Sequence, residues 1–103
     1  MEFVETPLFT KLIYGYMTPE DFQALQGALI ENPESGKLIP GSGGLRKLRW
    51  FSIGKGKRGG LRVIYYWYAS EDLIYFLYAY RKSDREELTH DEIKFFSKLL
   101  EDE

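Results

Sequence analysis

Apolar and polar positions along this chain switch between two periods, and the switches mark the elements. The stretch "EFVET" at 2–6 alternates and predicts a short strand. Thr6 and Pro7 follow it. Thr6 suits a helix N-cap, and Pro7 suits the first helical position, where a missing N–H costs nothing. Leu8, Phe9, Leu12 and Ile13 then recur on one face of a helix. "TPED" at 18–21 repeats the device, with Thr18 as cap, Pro19 first, and Glu20 and Asp21 near the positive helix end. Phe22, Leu25, Leu29 and Ile30 stripe this second helix, which is expected to stop near Asn32-Pro33 because a residue before proline avoids helical geometry.

The period changes after residue 33. "ESGKLIPGSGG" at 34–44 is punctuated by glycine and proline and reads as a loop. "LRKLRWFSI" at 45–53 alternates imperfectly, as a strand. "LRVIYYWYA" at 61–69 and "LIYFLYAY" at 73–80 are β-branched and aromatic runs joined by "SED", a hairpin. "LTHDEIKFFSKLLEDE" returns to helical spacing. Thr89 is its N-cap, Glu92 completes a capping box, and Ile93, Phe96, Leu99 and Leu100 form its apolar face. The order β-α-α-β-β-β-α predicts an α+β fold: an antiparallel sheet with two N-terminal helices on one face and the C-terminal helix at the other. At 103 residues, without repeats or a linker, the chain reads as a single domain spanning 1–103. Tyr65, Trp67, Phe76 and Tyr78 are expected in the core against the first two helices.

Charge changes the picture. The formal net charge is −2, but the average hides a division into thirds. Residues 1–35 carry one base and six acids, residues 36–70 eight bases and no acid, and residues 71–103 five bases and ten acids. A segment of one sign inside an acidic protein suggests a local polyanion site; solvated strand edges are the plainer alternative. There is no cysteine and one histidine, which argues against disulfides and zinc. No acidic cluster has calcium-loop spacing, so no metal or cofactor is expected. Nothing resembles a membrane span or a signal peptide, and a cysteine-free chain suits a reducing cytoplasm.

The centre of the basic third is "SIGKGKRGGLR" at 52–62, with Lys55, Lys57, Arg58 and Arg62 among four glycines. Glycines let backbone approach a ligand closely, yet the phosphate-loop pattern and its following helix are missing. Crowded lysines release protons more readily, so one of them could act as a base; a hairpin tip kept soluble by charge is the alternative. If Ser70 and Glu71 form a two-residue turn, Arg62 pairs with Ala79 and shares a face with Arg81. The two arginines would then be diagonal neighbours ~7–8 Å apart, a gap a phosphate can fill. Arg81 could instead point to solvent or pair with Asp84. His90, beside the helix cap, reads as an exposed first-turn residue with a possible functional role.

The segments "GSGGLRKLRW", "GKGKRGGLRVIYYW" and "LYAYRKSDREELT" resemble successive signatures of the RelE/ParE toxin superfamily, most closely its HigB-type branch. The resemblance implies a RelE-like fold and a toxin of a type II toxin–antitoxin pair. Its ribonuclease members enter the ribosome and cut mRNA without a metal, the ribose 2′-OH attacking the adjacent phosphate. It also implies a cognate helix-turn-helix antitoxin, with promoter DNA bound through it. By position, Lys55 and Lys57 match loop lysines that contact RNA and assist proton transfer. Arg62 matches the arginine that stabilises the transition state, and Arg81 with Lys82 the basic end of the next strand. His90 is the one Tyr- or His-type residue after Tyr80. Arg46, Lys47 and Arg49, with Arg58, fit an RNA- or ribosome-binding surface. The chain departs from the ribosome-directed members in being net acidic. A related branch acts on gyrase instead, and a non-enzymatic binding module is the alternative reading.

Overall fold

The computed structural model of the chain describes residues 1–51 and 60–101. Strand β1 (Glu2–Glu5) leads into helices α1 (Pro7–Tyr16) and α2 (Pro19–Glu31). Strands β2 (Lys37–Leu38), β3 (Arg46–Trp50), β4 (Leu61–Tyr68) and β5 (Leu73–Arg81) follow, and helix α3 (His90–Glu101) closes the series. Among the described residues, no helix is long and apolar enough to cross a membrane.

Both N-terminal helices start where the Thr-Pro pairs place them. Thr6 Oγ1 accepts from the Phe9 amide at 3.0 Å and also donates to the Leu77 carbonyl at 2.9 Å, so the cap ties α1 to β5. Thr18 Oγ1 accepts from the Asp21 amide at 3.1 Å. The apolar stripes are narrower than expected. Phe9, Ile13, Leu25 and Leu29 are buried, while Leu8 and Ile30 are 43% and 56% exposed.

The five strands form one sheet in the order β1-β5-β4-β3-β2. All pairs are antiparallel except β1 with β5, which is parallel, so the sheet is mixed rather than purely antiparallel. Alternation revealed β1 as a strand; its direction follows from where α1 and α2 carry the chain. One core lies under these two helices, joining Phe9, Ile13, Met17, Leu25 and Leu29 to Leu48, Leu61, Val63, Tyr65, Ile74 and Phe76. A second, smaller core on the opposite face joins Leu45, Ile64, Tyr75, Leu77 and Tyr80 to Phe96 of α3.

The segment read as a loop at 34–44 contains β2, paired antiparallel with β3. Tyr65 holds it in place. Its hydroxyl donates to the Pro33 carbonyl at 2.7 Å and accepts from the Gly36 amide at 2.9 Å. A Cβ on Gly36 would lie 2.8 Å from Tyr65 Cε1, so no other residue fits beneath the ring. Two residues of pairing are too few to show as a period, and the tether comes from 29 positions away.

Candidate functional site: a cationic face of the sheet

Alternation along β4 sends Leu61, Val63, Tyr65 and Trp67 toward α1 and α2, and Arg62, Ile64, Tyr66 and Tyr68 toward α3. The turn-proximal half of the hairpin has the expected register, with Tyr68 opposite Leu73 and Tyr65 opposite Phe76. A bulge then intervenes. Ile64 pairs with Tyr78, so Leu77 is an extra residue on β5, and every later pair is displaced by one. Leu77 and Tyr78 both face α3; the Tyr78 and Phe96 rings stack with centroids 5.2 Å apart. Tyr78 is therefore not in the core beneath α1 and α2.

This displacement decides the site. Arg62 stands opposite Tyr80, not Ala79, and Arg81 stands opposite Leu61. Arg62 and Arg81 consequently lie on opposite faces of the sheet, and the diagonal arginine pair does not form. Arg81 instead reaches Tyr16 of α1, with its Cζ 5.4 Å from the ring centroid, and its Nε lies 3.4 Å from Asp84 Oδ2. On the α3 face a different arginine neighbours Arg62. Arg49 of β3 is directly opposite it, and Lys47, opposite Ile64, lies on the same face. Arg62 is 5% exposed, whereas Arg49 is exposed. Like charges directly across a strand pair repel, and an anion lying over them relieves the repulsion.

Arg46 faces the other way. Its Nη1 donates to the carbonyls of Glu34 at 3.2 Å and Gly36 at 2.8 Å, and its Nη2 lies 3.6 Å from Glu34 Oε2. It braces the chain between α2 and β2 instead of joining Lys47 and Arg49. Lys82 is exposed just past β5, its amide donating to the Gly60 carbonyl at 3.1 Å. That bond holds the start of β4 to the end of β5. Gly60 itself has φ +65, and a Cβ there would lie 2.6 Å from the Trp50 carbonyl oxygen. His90 is the exposed first residue of α3. Lys55, Lys57 and Arg58 lie outside the described residues.

Two members of this face carry no signal in the periodicity. Tyr80, 2% exposed, is set beside Arg62 by the bulge alone. Its hydroxyl donates to the Glu86 carbonyl at 3.3 Å. Burial raises its pKa, Arg62 and Arg85 lower it, and Glu87 and Glu92 raise it again. Arg85 lies with its Cζ 5.3 Å from the Tyr80 ring centroid and forks onto Glu92. The capping box was the available hint, since its glutamate is a charge placed at a fixed point of α3. Thr89 and Glu92 do form that box: the Thr89 amide donates to Glu92 Oε1 at 2.8 Å, and the Glu92 amide to Thr89 Oγ1 at 3.1 Å.

The hydrogen bonds from Arg85 hold the Glu92 carboxyl down at about 2, against an ordinary value of 4.5, helped by the Thr89 amide. A depressed carboxylate stabilises the fold fully above its unfolded pKa and loses that contribution as pH falls through the folded one. The thermal midpoint of the wild type should thus exceed that of Glu92→Gln at neutral pH. The gap should close as pH is lowered from 4.5 toward about 2. A gap that stays constant across that range would contradict the assignment.

Comparison with protein families adds an independent finding. The family model described as "RelE toxin of RelE / RelB toxin-antitoxin system" matches residues 23–102, which include all of β2 to β5 and α3.

Proposed function

Because this chain belongs to the RelE toxin family of RelE / RelB toxin–antitoxin systems, it is the toxin of such a pair, and we propose that it is an mRNA endoribonuclease of the HigB type. The observation that carries this reading is the buried Arg62 directly opposite Arg49 on a sheet face that also presents Lys47. A guanidinium held in place by its surroundings is suited to charge that develops on a phosphate during reaction. The cut is made on mRNA in the ribosome, in the cytoplasm, by a single domain spanning 1–103.

In this reaction the ribose 2′-oxygen forms a bond to the neighbouring phosphorus while the bond to the 5′-oxygen breaks. One proton leaves the 2′-OH and another is delivered to the departing 5′-oxygen. The products are a 2′,3′-cyclic phosphate and a 5′-OH end. Arg62 neutralises the charge on the phosphorane, a role that needs no metal. Lys55 and Lys57 move the protons. Lys47, Arg49, Arg58 and Lys82 hold the RNA backbone, and His90 stands at the start of α3 as a further proton-transfer candidate. Arg81, across the sheet from Arg62, contacts the backbone at the same end of the strands. The acidic outer thirds leave most of the RNA contact to the basic middle third. The partner is the cognate antitoxin, of the helix-turn-helix kind, through which the pair binds its own promoter.

The test is cleavage in a translating extract. Added toxin should create new mRNA 5′ ends within translated codons, mapped by primer extension, and those ends should accept phosphate from a polynucleotide kinase. Intact mRNA accompanied by inhibited DNA supercoiling would place the chain in the gyrase-directed branch instead.

A further inference from the structure

A cavity of about 180 Å³ opens on the α3 face, between the end of β4, the loop joining β2 to β3, and the last turns of α3. Tyr66, Tyr68, Ser42, Ser97, Leu100 and Glu101 line it. Its walls are braced from within the protein. The Tyr66 and Tyr68 rings meet edge to face, with centroids 4.5 Å apart. A Cβ on Gly44 would lie 2.7 Å from Tyr66 Cε1, so the backbone runs directly against that ring. The Tyr68 hydroxyl donates to the Leu100 carbonyl at 3.5 Å. Ser97 Oγ donates to the Ser42 carbonyl at 2.6 Å, which ties α3 to the loop. Both tyrosines stay half-buried, with ring surface at the cavity. The walls are therefore set before anything enters.

A row of cations starts at the edge of this cavity. Lys47 stands opposite Ile64, which makes it the diagonal neighbour of Tyr66 on the same face, within reach of a long side chain. Lys37 stands opposite Lys47 on β2, and Arg49 lies two residues further along β3. Aromatic surface beside a cationic track is how single strands are held: the cations follow phosphates and the rings stack bases. Glu101 decides which part of the strand enters. It is exposed on the cavity wall, where its carboxylate repels a phosphate and accepts N–H groups from a base edge. Guanine is the RNA base with two adjacent N–H donors, N1–H and N2–H, on one edge, and these match the two carboxylate oxygens. The volume is below the roughly 300 Å³ at which ordinary ligand pockets begin, so it takes a single ring system.

We propose that this cavity is a guanine subsite for single-stranded RNA. Tyr66 and Tyr68 form the stacking platform, Glu101 accepts from N1–H and N2–H, and Lys47 with Lys37 holds the adjoining phosphates. Tyr66 lies four residues from Arg62 along β4, about 13 Å at the usual strand rise. The base therefore belongs to a nucleotide flanking the cut and not to the one cleaved. As a substrate subsite this rests on the function proposed above; the binding of a guanosine-containing strand does not.

The experiment uses short 2′-O-methyl oligoribonucleotides, which lack the attacking hydroxyl and stay uncut. Each is uridine throughout except for one central guanosine, adenosine, cytidine or uridine. Binding to the full chain is followed by fluorescence anisotropy and by NMR of the tyrosine rings. The wild type should prefer the guanosine strand by at least about fivefold, the lower end of what a bidentate base contact discriminates. Glu101→Ala should cut that preference to under about twofold. Tyr66→Ala should weaken the guanosine strand at least about fivefold, and Tyr66→Phe should stay within about twofold of wild type. If Glu101 acted only as a negative charge, its alanine variant would tighten all four strands alike and keep the preference, which overturns the proposal. Equal affinities of the four strands for the wild type overturn it too, as do Tyr66 and Tyr68 resonances that the guanosine strand does not move. Should Tyr66→Ala fail to fold, the ring resonances and Glu101→Ala decide. Cleavage in the extract separates this proposal from the ribonuclease. A guanosine preference with intact mRNA removes the ribonuclease and keeps a guanine site. Cut mRNA with no preference among the strands keeps the ribonuclease and removes the subsite.

Discussion

Arg62→Ala is expected to reduce mRNA cleavage in a translating extract by about a hundred- to a thousandfold, the usual cost of removing one preorganised group that stabilises transition-state charge. The reason is its placement. Arg62 is buried on β4, flanked across the strands by Arg49 and Tyr80, and fixed by the sheet rather than by a loop. Such a group needs little reorganisation when charge appears on the phosphate. Arg49, exposed on β3, is expected to behave differently. Arg49→Ala should act mainly on RNA binding and be partly overcome by higher substrate, because an exposed cation is screened and mobile. Because Arg62 is buried, its alanine variant loses packing as well as charge, and cleavage is compared between samples shown to be folded. Thermal melting of the two variants beside the wild type checks this. Equal cleavage by wild type and Arg62→Ala would remove Arg62 from the chemistry.

Phe76→Ala should have the largest effect on stability. Phe76 is fully buried at the centre of the core beneath α1 and α2. Its ring stacks on Phe9 at 4.8 Å and on Phe3 at 5.7 Å, and meets Phe22 at 5.5 Å. These partners come from β1, α1 and α2, so one side chain joins three elements to β5. Removing a buried phenyl ring costs about 3–5 kcal/mol, because the transfer energy is lost and the cavity does not close. That is a large share of the roughly 5–15 kcal/mol that stabilises a domain. Urea unfolding should show the midpoint falling sharply, with the variant partly unfolded at 37 °C. Phe76→Leu, which keeps most of the volume, should cost under about 2 kcal/mol. If the alanine variant matches the wild-type midpoint, the aromatic stack does not hold β1, α1 and α2 on the sheet.

Much of the fold was legible in the chain. Each Thr-Pro pair starts a helix, Thr89 and Glu92 form the expected box, and the long strands fall where β-branched and aromatic residues alternate. These are interactions among near neighbours, and near neighbours are what a sequence displays directly. The two residues of β2 were not legible, because they depend on the Tyr65 hydroxyl reaching Gly36 and Pro33. Nor was the parallel direction of β1, which depends on the path of two whole helices.

The candidate site divides along the same line. The sequence by itself determined that the bases gather in the middle third and that Arg62 lies on a strand among them. It could not determine which arginine keeps Arg62 company. Counting back from the turn assigned Arg81, and that count holds as far as Tyr65 and Phe76. Beyond it, Leu77 enters β5 as one extra residue and turns Tyr80 toward Arg62 and Arg81 toward Tyr16. A single added residue exchanges the two faces because strand side chains alternate with a period of two. Leu77 and Tyr78 both pack on the α3 side with Phe96, so the register of β5 was settled by contacts from a helix that begins nine residues after the strand ends.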